Sequence, residues 1–409
     1  RLWPAAAVGC CLLGMGTKEV MITAPILALL YDRTFLAGSF RGALRARWPI
    51  HLGLASTWVA LALLLTTAGA YHENPGVGFR SNVFAPAAYA NAQLYAPGLY
   101  VKRALWPAAL VFDLHWPPDV APVLFRLHQA VTVALAGATV WLLWRRSQWG
   151  FAGAWFFLIL APTSSVMPMP DPVVEHRVYL PLAGLAAIVS TALYAGLGRV
   201  AGPRRGTLAA TLLVALLGTL LAFATAARNR VYASQRALWA DTVRKDPANP
   251  RARCNLARAY IRRYDATQDV RHLDRAREHL RQTLRLQPEN YDAWINLGTI
   301  AGRCGAYERA AEHFRTALRF DPPHPEEALF NLANAYMDLG RTQSAEETFE
   351  RVLEADPHHD EAHNSLGVLY ATAGAPDRAA AHFRAALQLN PHHPTAGQNL
   401  KHLQEAPTR

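Results

Sequence analysis

One short stretch, PDPVVEHRVYLPLAGL at 170–185, carries Asp171, Glu175, His176 and Arg177 between two long apolar runs. A second such edge, GTKEV at 16–20, carries Lys18 and Glu19. Ionisable groups at the rim of a hydrocarbon layer are ordinary interfacial anchors or, where several converge on one face, a candidate site. Lys18, His176 and Arg177 are the cations of this rim. Glu19 and Glu175 are candidates to orient those cations or to help hold a divalent metal. The plainer reading pairs Glu175 with Arg177 and lets both fix a loop.

Such groups belong at helix ends, because a charge at the centre of a span costs roughly 2.5–3.5 kcal/mol. Runs of about 20 apolar residues are long enough to cross a bilayer. Candidate spans are 2–16, 19–37, 50–70, 122–144, 149–168, 178–197 and 207–227, and RALWPAALVFDLHW at 103–116 reads as a shorter interfacial helix. Arg33, Arg41, Arg45, Arg47, Arg145, Arg146, Arg199, Arg204 and Arg205 fall in one set of connectors, which the positive-inside rule makes cytoplasmic. Alternation then puts 17–19, 71–121, 169–177 and everything after 227 on the other face. His72, Glu73, Asp113 and His115 join the rim cluster there. No ionisable pair stands at the centre of a span, which disfavours a transporter.

Charge divides the chain. Residues 1–227 hold 16 Lys/Arg against 7 Asp/Glu, and residues 228–409 hold 25 against 23. The basic excess lies where membrane connectors need it, so the pI of 9.7 is no sign of nucleic-acid binding. A membrane part followed by a water-exposed part is the expected organisation. The chain opens on Arg1 without a leader and reads as a fragment whose N-terminal part is missing.

After 227 the sequence repeats. Trp294, Leu297, Gly298, Ala310, Phe314, Ala317 and Pro322 recur as Leu329, Leu332, Ala333, Ala345, Phe349 and Pro357, then as Leu366, Gly367, Tyr370, Ala379, Phe383, Ala386 and Pro391. The prolines at 288, 322, 357 and 391 give steps of 34 or 35 residues. This is the tetratricopeptide pattern of paired helices, in which small residues let helix A meet helix B and proline ends helix B. The expected fold is all-α, a transmembrane helix bundle followed by a tetratricopeptide solenoid. Its parts are 1–227 (spans), 228–249 (a connecting helix), four repeats at 250–288, 291–322, 326–357 and 360–391, and a capping helix with tail at 392–409. The first repeat is irregular, with an insertion near YDATQDV.

Asn255, Asn296 and Asn331 precede the helix-A leucine of successive repeats, with Ser365 and Asn399 at the same place further on. An amide both donates and accepts, so this ladder is a candidate grip for an extended peptide; local packing is the plainer account. His358–His359 and His392–His393 follow helix-ending prolines and read as polar turns, without Cys or acidic partners at ligand spacing. Cys10 and Cys11 are apolar packing residues, and Cys254 and Cys304 fall on different repeats, so no disulfide is expected.

Taken together, GTKEVMITAPILALLYD (16–32), YVKRALWPAALVFD (100–113) and APTSSVMPMPDPVVEHRVYLPLAGL (161–185), followed by RALWADTVRKDPANPRARCNLA and the repeats, resemble the transmembrane-and-tetratricopeptide protein O-mannosyltransferases and their bacterial relatives, of the GT-C fold. The resemblance implies transfer of a mannose-like sugar from a polyprenyl-phosphate carrier to Ser/Thr hydroxyls of a protein acceptor, on the non-cytoplasmic face. It also implies a catalytic acid in a first outer loop, upstream of Arg1, so no catalytic residue is assigned here. The same resemblance makes Lys18, His176 and Arg177 the candidate ligands of the lipid phosphate, whose growing charge needs fixed cations and whose oxygens the planar fork of Arg177 matches. The expected partners are a lipid-linked sugar and a protein or peptide in the repeat groove, with no nucleic acid. The competing expectation is a non-catalytic, membrane-anchored scaffold. The Ala/Arg/Pro-rich composition leans to a bacterial inner membrane with periplasmic repeats; an endoplasmic-reticulum membrane with luminal repeats is the alternative.

Overall fold

The computed structural model describes residues 2–67, 85–107, 110–116, 120–163 and 171–405; the side chains of Leu2, Glu19, Leu65, Glu175 and His176 lie outside this description. Among the described residues all regular structure is helical. The chain forms two compact units, Arg1–Tyr232 and Ala233–Arg409.

In the first unit α1 (Leu2–Met15) leads into a 3₁₀ turn (Glu19–Thr23), α2 (Ala24–Tyr31) and a π-helical turn (Asp32–Ala37). There follow α3 (Phe40–Thr67), α4 (Pro86–Leu105), α5 (Pro122–Trp144), α6 (Gln148–Leu160), a 3₁₀ turn (Glu175–Val178), α7 (Leu182–Ala201) and α8 (Pro203–Asn229). Four segments are long and apolar enough to cross a membrane: Val20–Ala37, Pro122–Trp144, Leu182–Ala201 and Pro203–Ala233. They leave much of that apolar surface uncovered, with Leu208 61%, Leu212 62% and Phe223 72% exposed. Water would penalise this surface and a lipid solvent would not.

Three of the expected spans come out differently. Those placed at 2–16 and 149–168 form helices of 14 and 13 residues, α1 and α6, short of the length for a full crossing. The one placed at 50–70 is the second half of α3, whose first half carries Arg41, Arg45 and Arg47 and whose axis breaks at Arg47 (φ −137°, ψ 28°), two residues before Pro49.

Among the described residues of 103–116 no separate interfacial helix forms. Helix α4 ends at Leu105, and Trp106 takes φ −137°, ψ 89°. Pro107 accounts for the stop, since the residue before proline is driven out of the helical region. The helix lies instead inside the stretch read as a long loop. Its hydropathy is modest because tyrosines make its buried face: Tyr89, Tyr95 and Tyr100 are each 2% exposed or less. Helix α5 approaches α4 at Gly98, where an added Cβ would lie 2.3 Å from the His128 carbonyl, and the Gly98 amide donates to Thr132 Oγ1 at 2.9 Å.

In the second unit α9 (Gln235–Lys245) precedes four antiparallel A/B pairs: α10 (Pro250–Thr267) with α11 (Arg271–Leu286), α12 (Tyr291–Arg303) with α13 (Tyr307–Leu318), α14 (Glu326–Asp338) with α15 (Thr342–Ala355), and α16 (Asp360–Thr372) with α17 (Pro376–Leu389). Helix α18 (Ala396–Glu405) packs on the last pair. In the last three pairs the seam sets a small residue against a phenylalanine, and in the first Leu280 replaces the ring. At Gly298 an added Cβ would lie 2.5 Å from the Phe314 ring, and Gly367 meets Phe383 in the same way at 2.5 Å. The turn from A to B needs a left-handed residue, which Gly305, Gly340 and Gly374 supply; Gln268 (φ 55°) takes this role in the first pair, after α10 has extended into the insertion.

In α10, α12, α16 and α18 the first turn is capped by the residue two positions after a proline, whereas α14 starts behind Pro325 with no side-chain cap. Asn249 Oδ1 accepts from the Ala252 amide at 2.9 Å and Asn290 Oδ1 from Ala293 at 2.9 Å. His359 Nδ1 accepts from Ala362 at 3.2 Å and His393 Nδ1 from Ala396 at 3.1 Å. These two histidines are therefore helix caps.

Candidate functional site

The loop at 171–178 is fastened to α4. Gln93 Nε2 donates to the Pro172 carbonyl at 2.8 Å, the Tyr100 hydroxyl donates to the Val174 carbonyl at 3.0 Å, and the Val174 amide donates back to that hydroxyl at 3.1 Å. Tyr89 donates to the Thr163 carbonyl at 3.3 Å. Polar tips on the tyrosine face of α4 thus satisfy backbone that would otherwise be buried without partners.

Arg177 belongs to the same web. It is half-buried, and its Nη1 donates to the carbonyls of Thr163 at 2.9 Å and Pro172 at 3.5 Å. The guanidinium thus braces the loop through backbone carbonyls. Lys18 is exposed, and its Nζ lies 5.2 Å from the ring centroid of Tyr179, two residues beyond Arg177. The two sequence-distant rims that carry Lys18 and Arg177 therefore meet. Glu19 opens one 3₁₀ turn, and Glu175 and His176 open another, but their side chains lie outside the described residues, as do His72 and Glu73 entirely. Asp113 is buried, and Asp171 and His115 are half-buried.

Beside this rim lies an apolar recess of about 360 Å³ between α2 and α6, lined among others by Val20, Leu27, Tyr31, Phe151, Trp155 and Leu180. Val20 and Leu180 stand within two residues of Lys18 and Tyr179, so the recess adjoins the cationic edge. Trp155 donates Nε1 to the Leu180 carbonyl at 3.0 Å and fixes one wall.

Sequence reasoning missed a buried ionic cluster in the first unit. Asp32, 3% exposed, accepts from Arg47 Nη1 at 2.6 Å and pairs with His51 Nε2 at 2.9 Å. The available signal was a lone carboxylate at the end of an apolar run, followed by Arg47 and His51 spaced i, i+4 on the next helix.

In the repeats, the A helices touch one another, α10 against α12 and α12 against α14; the B helices make no contact of that extent among themselves in the described residues. The A helices therefore form the inner wall of the stack. The polar ladder on them is uneven. Asn255, Asn331 and Ser365 are half-buried. Asn296 is 6% exposed and donates Nδ2 to the Asp292 carbonyl at 2.8 Å and to Cys254 Sγ at 3.3 Å. It is a strut between neighbouring A helices. Asn399 likewise spans to Asn364 Oδ1, at 3.0 Å.

Next to that strut, Arg258 Nη2 lies 3.7 Å from Asp292 Oδ1. Burial pushes the Asp292 carboxyl up from its usual range, against the pull of Arg258 and Arg251. The same side chain is 48% exposed. Cys254 is pushed up to about 12, first by burial and then by the field of Asp292. Among the described residues, His359, Asp360 and Glu361 alone bring three metal-ligating groups within 4.8 Å of one another. The His359 Nδ1 lone pair is already committed to its cap.

Residues 265–325 and 330–394 match the family described as Tetratricopeptide repeat. No curated protein matches the chain. Solved structures similar to it include YrrB, a TPR protein with an unusual peptide-binding site, at 21% identity over 40% of this chain and 81% of that one, TM-score 0.33. PilW, a type IV pilus biogenesis factor, is 22% identical over 54% of this chain and 87% of that one, TM-score 0.36. PilF of Pseudomonas aeruginosa is 23% identical over 39% and 68%, TM-score 0.34.

Proposed function

We propose that this chain is a membrane-anchored tetratricopeptide scaffold that binds a protein or peptide segment on the inner wall of its repeats, on the non-cytoplasmic side. One observation carries the reading: a wall of touching A helices with recessed polar groups, in repeats that follow four helices apolar enough to span a bilayer. The arginine-rich connectors support a cytoplasmic placement for the opposite face. The test is site-specific photo-crosslinking in cells. A crosslinker in place of Asn334, on the A-helix wall, should capture partner protein, and one in place of exposed Arg351 on helix α15 should not. Equal capture from both positions would reject a wall-specific partner.

A second reading is favoured by the union of the Lys18 and Arg177 rims beside an apolar recess. An anionic head on a long apolar tail has the shape this edge accepts, as a polyprenyl-phosphate sugar does. In this reading Lys18 and Arg177 stabilise the departing lipid phosphate, Arg177 while also bracing its loop, and His176, Glu175 and Glu19 support them. The repeats hold the acceptor and raise the local concentration of its Ser/Thr hydroxyls. Transfer from polyprenyl-phosphate sugars to a protein acceptor should fall in Lys18→Ala and in Arg177→Ala, and for a full-length acceptor in a chain lacking 250–409. Undiminished transfer in both point variants would remove these roles.

A further inference from the structure

The repeats are electrically polarised along their length. Residues 250–288 hold ten Arg and four Asp/Glu, residues 291–322 four of each, residues 326–357 two Arg and eight Asp/Glu, and residues 360–391 two Arg and three Asp/Glu, so the basic excess is confined to the first repeat and the last two are net acidic. The same order appears on the inner wall. The residue just before the fully buried Ala252, Ala293, Ala328 and Ala362 is Arg251, Asp292, Glu327 and Glu361 in turn. Each is the second residue of its A helix. Seven residues on, and so on the same helix face, stand Arg258, Thr299, Asn334 and Val368.

The helix dipole accounts for part of this and is contradicted by the rest. Carboxylates at the second position of α12, α14 and α16 are favoured there. Arg251 at the same position of α10 is disfavoured by the same field, by about 0.3–1 kcal/mol for a charge in the first turn. A cation kept at a helix start, with a second at Arg258 on the same face, therefore needs a reason outside α10. Across the wall Arg258 Nη2 lies 3.7 Å from Asp292 Oδ1, so the cations of the first repeat face the carboxylate of the second.

We propose that the inner wall recognises an extended polypeptide carrying an acidic block and a basic block, the acidic block lying on Arg251 and Arg258 and the basic block on Glu327 and Glu361. This rests on the reading of the wall as a peptide-binding surface and deepens it. Charge complementarity sets which segment docks and in which orientation, and speeds encounter at low salt.

The test uses the full chain in detergent micelles and fluorescence anisotropy with four labelled peptides of equal length. One is an uncharged Ser/Thr/Ala peptide, one carries a glutamate block, one a lysine block, and one carries both. The two-block peptide should bind at least tenfold tighter than the uncharged one and weaken as salt rises. Arg251→Glu with Arg258→Glu should lower affinity for the glutamate-bearing peptides tenfold and spare the lysine-block peptide; Glu327→Lys with Glu361→Lys should do the reverse. Arg251, Glu327 and Glu361 are exposed and Arg258 is half-buried beside Asp292, and unchanged circular dichroism establishes that the folds are intact. Equal binding of the four peptides would overturn the charge reading and leave the peptide-binding wall standing. Binding of none, the uncharged peptide included, would overturn both. A dimer that the same reversals dissolve, with no preference among the peptides, would assign the wall to a second copy of this chain and overturn the peptide.

Discussion

Arg47 reaches back across a helix break to donate Nη1 to Asp32 Oδ1 at 2.6 Å, and His51 closes on the other carboxylate oxygen at 2.9 Å. Removing the acid strands two cationic or polar groups in a largely apolar setting. Breaking a buried pair costs about 3–5 kcal/mol, and the partial exposure of Arg47 reduces this. Asp32→Ala should therefore destabilise the first unit by about 1–3 kcal/mol, with Asp32→Asn milder, as read from unfolding in detergent. Equal stability of both variants and the parent would show the cluster to be dispensable.

Sidedness can be read with the native thiols. Cys304 is exposed in the second unit, whereas Cys254 is buried and pushed up to about 12, which leaves almost no thiolate at neutral pH. An impermeant maleimide added outside intact cells or spheroplasts should label Cys304 and miss Cys254. Labelling of Cys304 only after lysis would place the repeats in the cytoplasm and remove both proposed functions in their present form.

The same thiol makes stability fall in alkali. The folded Cys254 thiol lies above its ordinary 9.0, so it favours folding at lower pH and loses that contribution as pH rises from about 9 towards 12. Cys254→Ser should flatten this part of a stability–pH curve measured by denaturant titration.

An acid limb should come from histidines. Burial lowers His279, His313, His363 and His382, and His363 Nδ1 faces His382 Nδ1 at 3.1 Å, a bond that needs one ring neutral. A folded value below the unfolded one gives stability that is full above the unfolded value of about 6.5 and lost as pH falls through it. The melting temperature of the repeats should drop between pH 7 and 5, with each histidine contributing well under the limit of about 1.4 kcal/mol per pH unit. His363→Asn with His382→Leu should weaken the slope.

Gly298→Ala runs against helix propensity. Alanine ordinarily improves a helix interior by roughly 0.5–1 kcal/mol, yet its Cβ would lie 2.5 Å from the Phe314 ring. Overpacking should win and cost about 1–3 kcal/mol. The check is a Gly298→Ala melt, with Gly302→Ala, where no atom lies within 4 Å, as the control that should not lose stability.

The sequence by itself determined the periodic parts. A 34-residue rhythm of small, aromatic and proline residues dictates paired helices because each pair can bury its seam only against itself and its neighbours. Apolar length likewise marked Pro122–Trp144, Leu182–Ala201 and Pro203–Ala233, since crossing hydrocarbon is a property of one segment at a time. Only tertiary structure decided what depends on partners distant in sequence. Helix α4 was hidden in a supposed loop because tyrosines bury their rings while their hydroxyls serve another strand of backbone. The Asp32–Arg47–His51 cluster, the meeting of Lys18 with Tyr179, and the bond from Asn296 to Cys254 arise the same way. Each is a contact between elements whose spacing along the chain carries no period, so no local pattern can announce it.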